Sequence, residues 1–153
     1  MCAALLAAVD PGRSKCGLVL ADADSRTLLA AAILPPEAAQ ELIERWRQQG
    51  LAAAVLGNGT GSAGWRRRLE SLGLTVQLVD ERGTTLEARR RYWDLEGRRH
   101  WRRWLPAGLR LPPRDIDDVV AQLLLERHLA EQLQRPALVV WRQLPPLRSA
   151  PSP

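Results

Sequence analysis

The sequence predicts an α/β protein: one mixed sheet, an antiparallel meander followed by parallel strands, with helices flanking it. Three observations carry this. Three short apolar runs, "ALLAAVD", "CGLVLAD" and "TLLAAAIL", open the chain with only tight turn signals between them, the pattern of a meander. After Pro35-Pro36 the chain alternates helical and strand segments, as parallel strands joined by right-handed crossovers require. At 153 residues, 46% hydrophobic and 25% charged, the chain has the size and mix of one globular domain with a real core.

The elements follow in order. "EAAQELIERWRQQG" has helical periodicity and a stop at Gly50. "LAAAVLG" reads as a strand, "SAGWRRRLESLG" as a helix ending at Gly73, "LTVQLVD" as a strand and "TTLEARRRYWDLEG" as a helix. Arg98 to Arg114 is irregular, with Trp101, Trp104 and prolines at 106, 112 and 113. "DIDDVVAQLLLERHLAEQL" is a long helix; "ALVVW" can form a short last strand, and the Pro-rich end from Pro145 has the composition of a disordered tail. The domain is therefore expected over residues 1–135, with the short strand and tail in 136–153. Strands ending at Asp10, Gly57 and Asp80 would run parallel and bring their carboxyl ends to one edge, where α/β sheets bind ligands.

Composition narrows the function. Two cysteines, Cys2 and Cys16, make neither a disulfide framework nor a zinc site, so a reducing, cytoplasmic setting is expected. The apolar run Ala3 to Val9 is too short for a signal peptide, and nothing approaches the roughly 20 apolar residues of a membrane span, so no membrane partner is expected. The net charge is +5 and the pI about 10.5. Lys15 is the only lysine; arginines gather at 66–68, 89–91, 98, 99, 102 and 103. Such a cluster suits a polyanion, nucleic acid first, or it is a solvated face.

One motif points elsewhere. "GTGSAG", Gly59 to Gly64, matches the glycine fingerprint of dinucleotide-binding folds, and Asp80 stands 21 residues past Gly59 at the end of the next strand. The fingerprint normally sits in the first strand-helix-strand unit, whereas three meander strands precede it here, and too little chain follows for a second nucleotide half. A dinucleotide-binding protein is thus the minor alternative.

Other motifs form a set: "DPGRSKCG" ending the first strand, "VLGNGTG" after the fourth, "VDERGTTLEAR" after the fifth and "IDDVVAQLLLERHL" in the last helix. Together they resemble the YqgF family of ribonuclease H-like, Holliday junction resolvase-like nucleases, whose bacterial members are implicated in maturing the ends of 16S ribosomal RNA precursors. The resemblance covers roughly residues 4–130. It implies a ribonuclease H-like fold with a mixed five-stranded sheet, and hydrolysis of phosphodiester bonds in structured RNA or branched DNA with Mg2+ or Mn2+. A homodimer is open, as is a non-catalytic nucleic-acid-binding module on the same fold. The sequence departs from the family pattern in the loop from Gly57 to Gly61, which lacks a usual Leu-Pro, and at Pro11, where an aromatic is more usual.

The chemistry available agrees with that implication. His100 and His128 are placed for neither a Ser-His nor a Cys-His device. Separated carboxylates on converging elements suit a two-metal phosphodiesterase, whose hard oxygen ligands hold ions roughly 3.5–4 Å apart. The expected metal ligands are Asp10, Glu81 and Asp117, with Asp118 as the reserve catalytic acid of the helix. Helical phase puts Asp117 near the edge of the face made by Ile116, Val119, Val120, Leu123 and Leu124, and Asp118 pointing away from it. The family's placement of its helix acid just after an apolar residue agrees. Asp115 reads as the helix N-cap with Asp118 at N3, and Thr84 with Glu87 as a capping box. Asp10 could also be a plain turn residue. Candidate nucleic-acid contacts are Lys15, Asn58, Thr60, Arg82, Thr85, Arg99, Arg102 and Arg103; Arg82 pairs either with Glu81 or with a phosphate. The Trp101–Trp104 stretch either stacks on unpaired bases or packs in the core.

Overall fold

The computed structural model describes residues 4–95, 101–106, 109 and 111–147. Its order is β1 (Leu5–Asp10), β2 (Cys16–Asp22), β3 (Thr27–Leu34), α1 (Pro36–Gln48), β4 (Ala53–Gly57), α2 (Ser62–Ser71), β5 (Thr75–Val79), α3 (Thr84–Leu95), a 3-10 turn (Trp101–Trp104), α4 (Asp117–Leu129) and β6 (Val140–Trp141). The strands form one sheet in the order β5-β4-β1-β2-β3-β6. β1, β2 and β3 are the antiparallel meander, and β4 and β5 extend the other side of β1 in parallel. An antiparallel meander followed by parallel strands is the arrangement the sequence predicts. A sixth strand is added: two residues of "ALVVW" run parallel to β3 at the far edge.

The alternation of side chains in β1 builds two cores. Ala7 and Val9 join Leu18, Leu34, and Ile43 and Trp46 of α1 on one face, where Trp65 and Leu69 of α2 also pack. Ala8 and Val19 face Ala121, Leu124 and Leu125 of α4 on the other. α1 opens with Pro36 in its first turn and buries Ala39, Leu42, Ile43 and Trp46, the i, i+3, i+4, i+7 spacing of an amphipathic helix.

α4 differs. It is buried continuously from Asp118 to Glu126, because α3 covers the side away from the sheet through Ala88 against Val119, Val120 and Leu123. A helix between a sheet and another helix has no solvent face, which overturns one expectation. Asp118 does not point away into water; it is fully buried. The helix begins at Asp117 with Ile116 as N-cap, so Asp115 lies before the cap instead of forming it, and no side-chain cap bond is made. The expected Thr84–Glu87 capping box is absent too. The Thr84 hydroxyl donates to the Glu81 carbonyl (2.6 Å), and Glu87 pairs with Arg127 (3.0 Å). Following β6, Leu144 packs on the first core and Arg45 donates to the Pro145 carbonyl (2.6 Å).

Candidate active site

The parallel register sets the site. Val9 pairs with Leu56 and Gly57 with Val79, so β1, β4 and β5 end at one edge with Asp10, Asn58 and the Asp80-Glu81 pair side by side. Two glycines then bring the acids together. Gly17 lies opposite Asp10 in the β1–β2 ladder, and a β-carbon there would overlap the backbone carbonyl of Asp117. The start of α4 can therefore press onto the sheet beside Asp10. A β-carbon at Gly59 would overlap the Glu81 carboxylate. The Asn58 side-chain oxygen accepts from the Glu81 N–H (3.2 Å) and the Asn58 N–H donates to the Val79 carbonyl (3.0 Å), so the loop after β4 cradles Glu81. That cradle counts against the dinucleotide alternative: the first glycine of the fingerprint makes room for a carboxylate of this chain.

Electrostatics confirm the convergence. The Asp10 carboxyl is raised to about 7 by burial, and further by the negative charges of Asp117 and Glu81. Two hard carboxylates, from the turn after β5 and the start of α4, thus act on a third at the end of β1. This donor set suits Mg2+ or Mn2+. It is convergent without being closed: among the described residues no three His, Cys, Asp or Glu side chains stand close enough to enclose an ion.

Asp10 and Asp117 open into a cleft of about 290 Å³ whose walls include Thr85, Arg89, Leu111 and Arg114. A larger hollow of about 610 Å³ shares its wall of Pro112, Arg114 and Asp115 and continues to Arg142; it holds none of the three acids and extends the cleft. Lys15 bridges Asp115 (2.8 Å) and Asp117 (3.6 Å) on the rim, and Arg142 also holds Asp115 (2.9 Å). The Lys15 bond, then the Arg142 bond, lowers the Asp115 carboxyl below its usual range.

The remaining candidates divide. Thr85 lines the cleft, and Thr60 is exposed on the loop beside Glu81. Asn58 positions Glu81. Arg82 pairs with neither Glu81 nor the interior: its exposed guanidinium holds Asp80 (2.8 Å). Arg102 lies in the 3-10 turn; Arg99 and the side chain of Arg103 lie outside the described residues. Trp101 and Trp104 are exposed, which excludes the core reading for both, whereas Trp46 and Trp65 are core residues.

Asp118 has a different place from the three acids. Arg114 (2.8 Å) and Arg135 (2.6 Å) hold its two oxygens. Gln122 accepts from Arg135 (3.0 Å) and Glu126 from Arg91 (2.8 Å), so Asp118, Gln122 and Glu126 form a buried polar ladder one turn apart. Arg91, Arg114 and Arg135 carry no mark of this role in the local sequence around them. The signal was the i, i+4, i+8 stripe of polar residues through an apolar helix.

No family model matches the chain. Two relatives from Coxiella burnetii, strains Dugway 5J108-111 and CbuG_Q212, each named "Putative pre-16S rRNA nuclease", are 30% identical over 139 residues, covering 80% of this chain and 90% of theirs. Among solved structures, Thermus thermophilus RuvC is matched at 14% identity and TM-score 0.46 over 85% of this chain and 99% of that one. RuvC in complex with a Holliday junction substrate is matched at 16% and 0.47 over 81% and 91%. No helix among the described residues is long and apolar enough to cross a membrane. With its motifs, its sheet order and relatives at this identity over most of both chains, the protein belongs to the YqgF family.

Proposed function

We propose that this chain is a divalent-metal-dependent endonuclease of the cytoplasm that hydrolyses phosphodiester bonds in structured nucleic acid, precursor 16S rRNA first. What supports the reading is the placing of three acids from distant parts of the chain, Asp10, Asp117 and Glu81, at one strand edge, where Asp117 and Glu81 add to the burial that raises the Asp10 carboxyl. Protein folds seldom hold like charges together without a cationic ligand, and the relatives' name supplies the substrate class.

A bound Mg2+ or Mn2+ would supply Lewis acidity at the phosphate and favour ionisation of the attacking water. Asp10, Glu81 and Asp117 would hold it through their carboxylate oxygens. Asn58 fixes the Glu81 backbone, and Gly59 leaves its carboxylate room. Thr85 on the cleft wall and Lys15 on its rim stand where a phosphate would approach, with Lys15 available to exchange Asp115 for the substrate. Water attacks phosphorus and gives up a proton to solvent, the bond to the leaving sugar oxygen breaks, and that oxygen takes a proton from solvent.

The test is cleavage of structured RNA bearing precursor rRNA ends, and of four-way DNA junctions, with Mg2+, Mn2+ or chelator. Metal-dependent cuts that vanish in Glu81→Gln are expected. Cleavage that survives chelation, or no cleavage of either substrate, would overturn the reading.

A further inference from the structure

The Trp101–Trp104 turn has no task in the site described so far. Its two indoles are 64% and 82% exposed, while Trp46, Trp65 and Trp93 are buried. In 3-10 geometry residues i and i+3 eclipse, so Trp101 and Trp104 leave the same face of the turn, about 6 Å apart along its axis at roughly 2 Å per residue. Exposed indoles on one face of a turn are the platforms on which unpaired bases stack.

The turn is also tied to the cleft. The Arg102 guanidinium lies 5.7 Å from the Trp101 ring and donates to the Leu111 carbonyl (3.5 Å). Leu111 lines the same cleft as Asp10 and Asp117. Aromatic rings interleaved with arginine, on a chain of net charge +5, match a strand of unpaired nucleotides better than an apolar protein surface.

We infer that the Trp101–Trp104 turn is a base-stacking subsite that takes an unpaired nucleotide flanking the scissile phosphate, which makes duplex-to-single-strand junctions the substrate class. This rests on the nuclease reading above. The subsite supplies affinity and register; the acids at the strand edge do the chemistry.

The test compares two RNA hairpins, one blunt and one with a single-stranded flank, by fluorescence anisotropy of the labelled RNA with Ca2+ in place of Mg2+. Wild type is expected to bind the flanked hairpin about 10-fold more tightly than the blunt one. Trp101→Ala with Trp104→Ala should reduce that preference to about 2-fold or less and leave blunt-hairpin affinity unchanged, while the Phe pair keeps most of it, since stacking needs a ring. Equal wild-type affinity for the two hairpins would overturn the inference. So would an Ala pair that weakens both alike, or a Leu pair that keeps the preference. Mg2+-dependent cleavage of the blunt hairpin separates the two ideas: cleavage without flank preference sinks the subsite alone, and absence of both binding and cleavage sinks the nuclease reading with it.

Discussion

Asp10→Asn tests the charge arrangement without reference to cleavage. The Asp10 carboxyl titrates at about 7 in the fold against 3.8 for an ordinary aspartate, with burial the first cause and Asp117 and Glu81 the next. Because the folded value is raised, this group's favourable contribution is complete below 3.8 and is lost as pH rises through about 7. At about 1.4 kcal/mol per tenfold, the whole gap corresponds to ~4 kcal/mol. Asp10 is partly exposed, so water screens it, and ~2 kcal/mol is the expected loss above neutrality. An amide at this position never ionises. Asp10→Asn should therefore come close to wild type near pH 4 and exceed it increasingly up to pH 8 in chelator, by about 4–8 °C in Tm at the upper end for a domain of this size. Mg2+ should restore wild type at pH 8 and leave the variant unmoved, since a ligand that binds only the folded state stabilises only what holds it. Thermal melts across this pH range decide the matter. Parallel pH profiles for the two proteins, or equal stabilisation of both by Mg2+, would refute the reasoning.

Other outcomes follow from the same geometry. Asp117→Asn should abolish metal-dependent cleavage while urea melts and nucleic-acid binding stay near wild type, because the amide keeps the shape and loses the anionic oxygen. Asp118→Ala should instead cost about 3–5 kcal/mol in urea unfolding, since it removes the carboxylate that pairs with the buried Arg135 and with Arg114; a loss below ~1 kcal/mol would mean the ladder is not what holds α4. Gly59→Ala should displace the Glu81 carboxylate and lower cleavage by about 100-fold with RNA affinity retained, because a 1 Å misplacement at a reacting centre is felt on that scale. Arg102→Gln should flatten the plot of log affinity against log salt by about 0.7–0.9 if its guanidinium meets one phosphate, and leave it unchanged if it serves only Trp101 and Leu111.

The sequence by itself determined the meander and the parallel strands beside it. Alternation in β1 to β3 and tight turns between them fix a meander whatever packs on it, because side-chain direction along a strand depends only on parity. The strand-helix alternation from Ala53 to Leu95 fixes parallel neighbours, and so the edge where Asp10 and Glu81 meet. Asp117 was placed from a face edge together with the family pattern. Only the tertiary structure decided what Asp118 does. Helical phase tells which residues share a face, and it assumes the other face is water; here α3 and the segment carrying Arg135 occupy that side, so an aspartate pointing off the sheet is a buried ion pair. The same limit applies to the small residues. Gly17 and Gly59 look like turn and loop glycines in the chain, and their function lies in the absent β-carbons that let Asp117 and Glu81 approach from far along the sequence. Arg82 chose Asp80, and Asn58 chose the Glu81 backbone, for a related reason. Short-range charge and hydrogen-bond partners are selected by backbone direction at the strand ends, and that direction is set by the sheet as a whole.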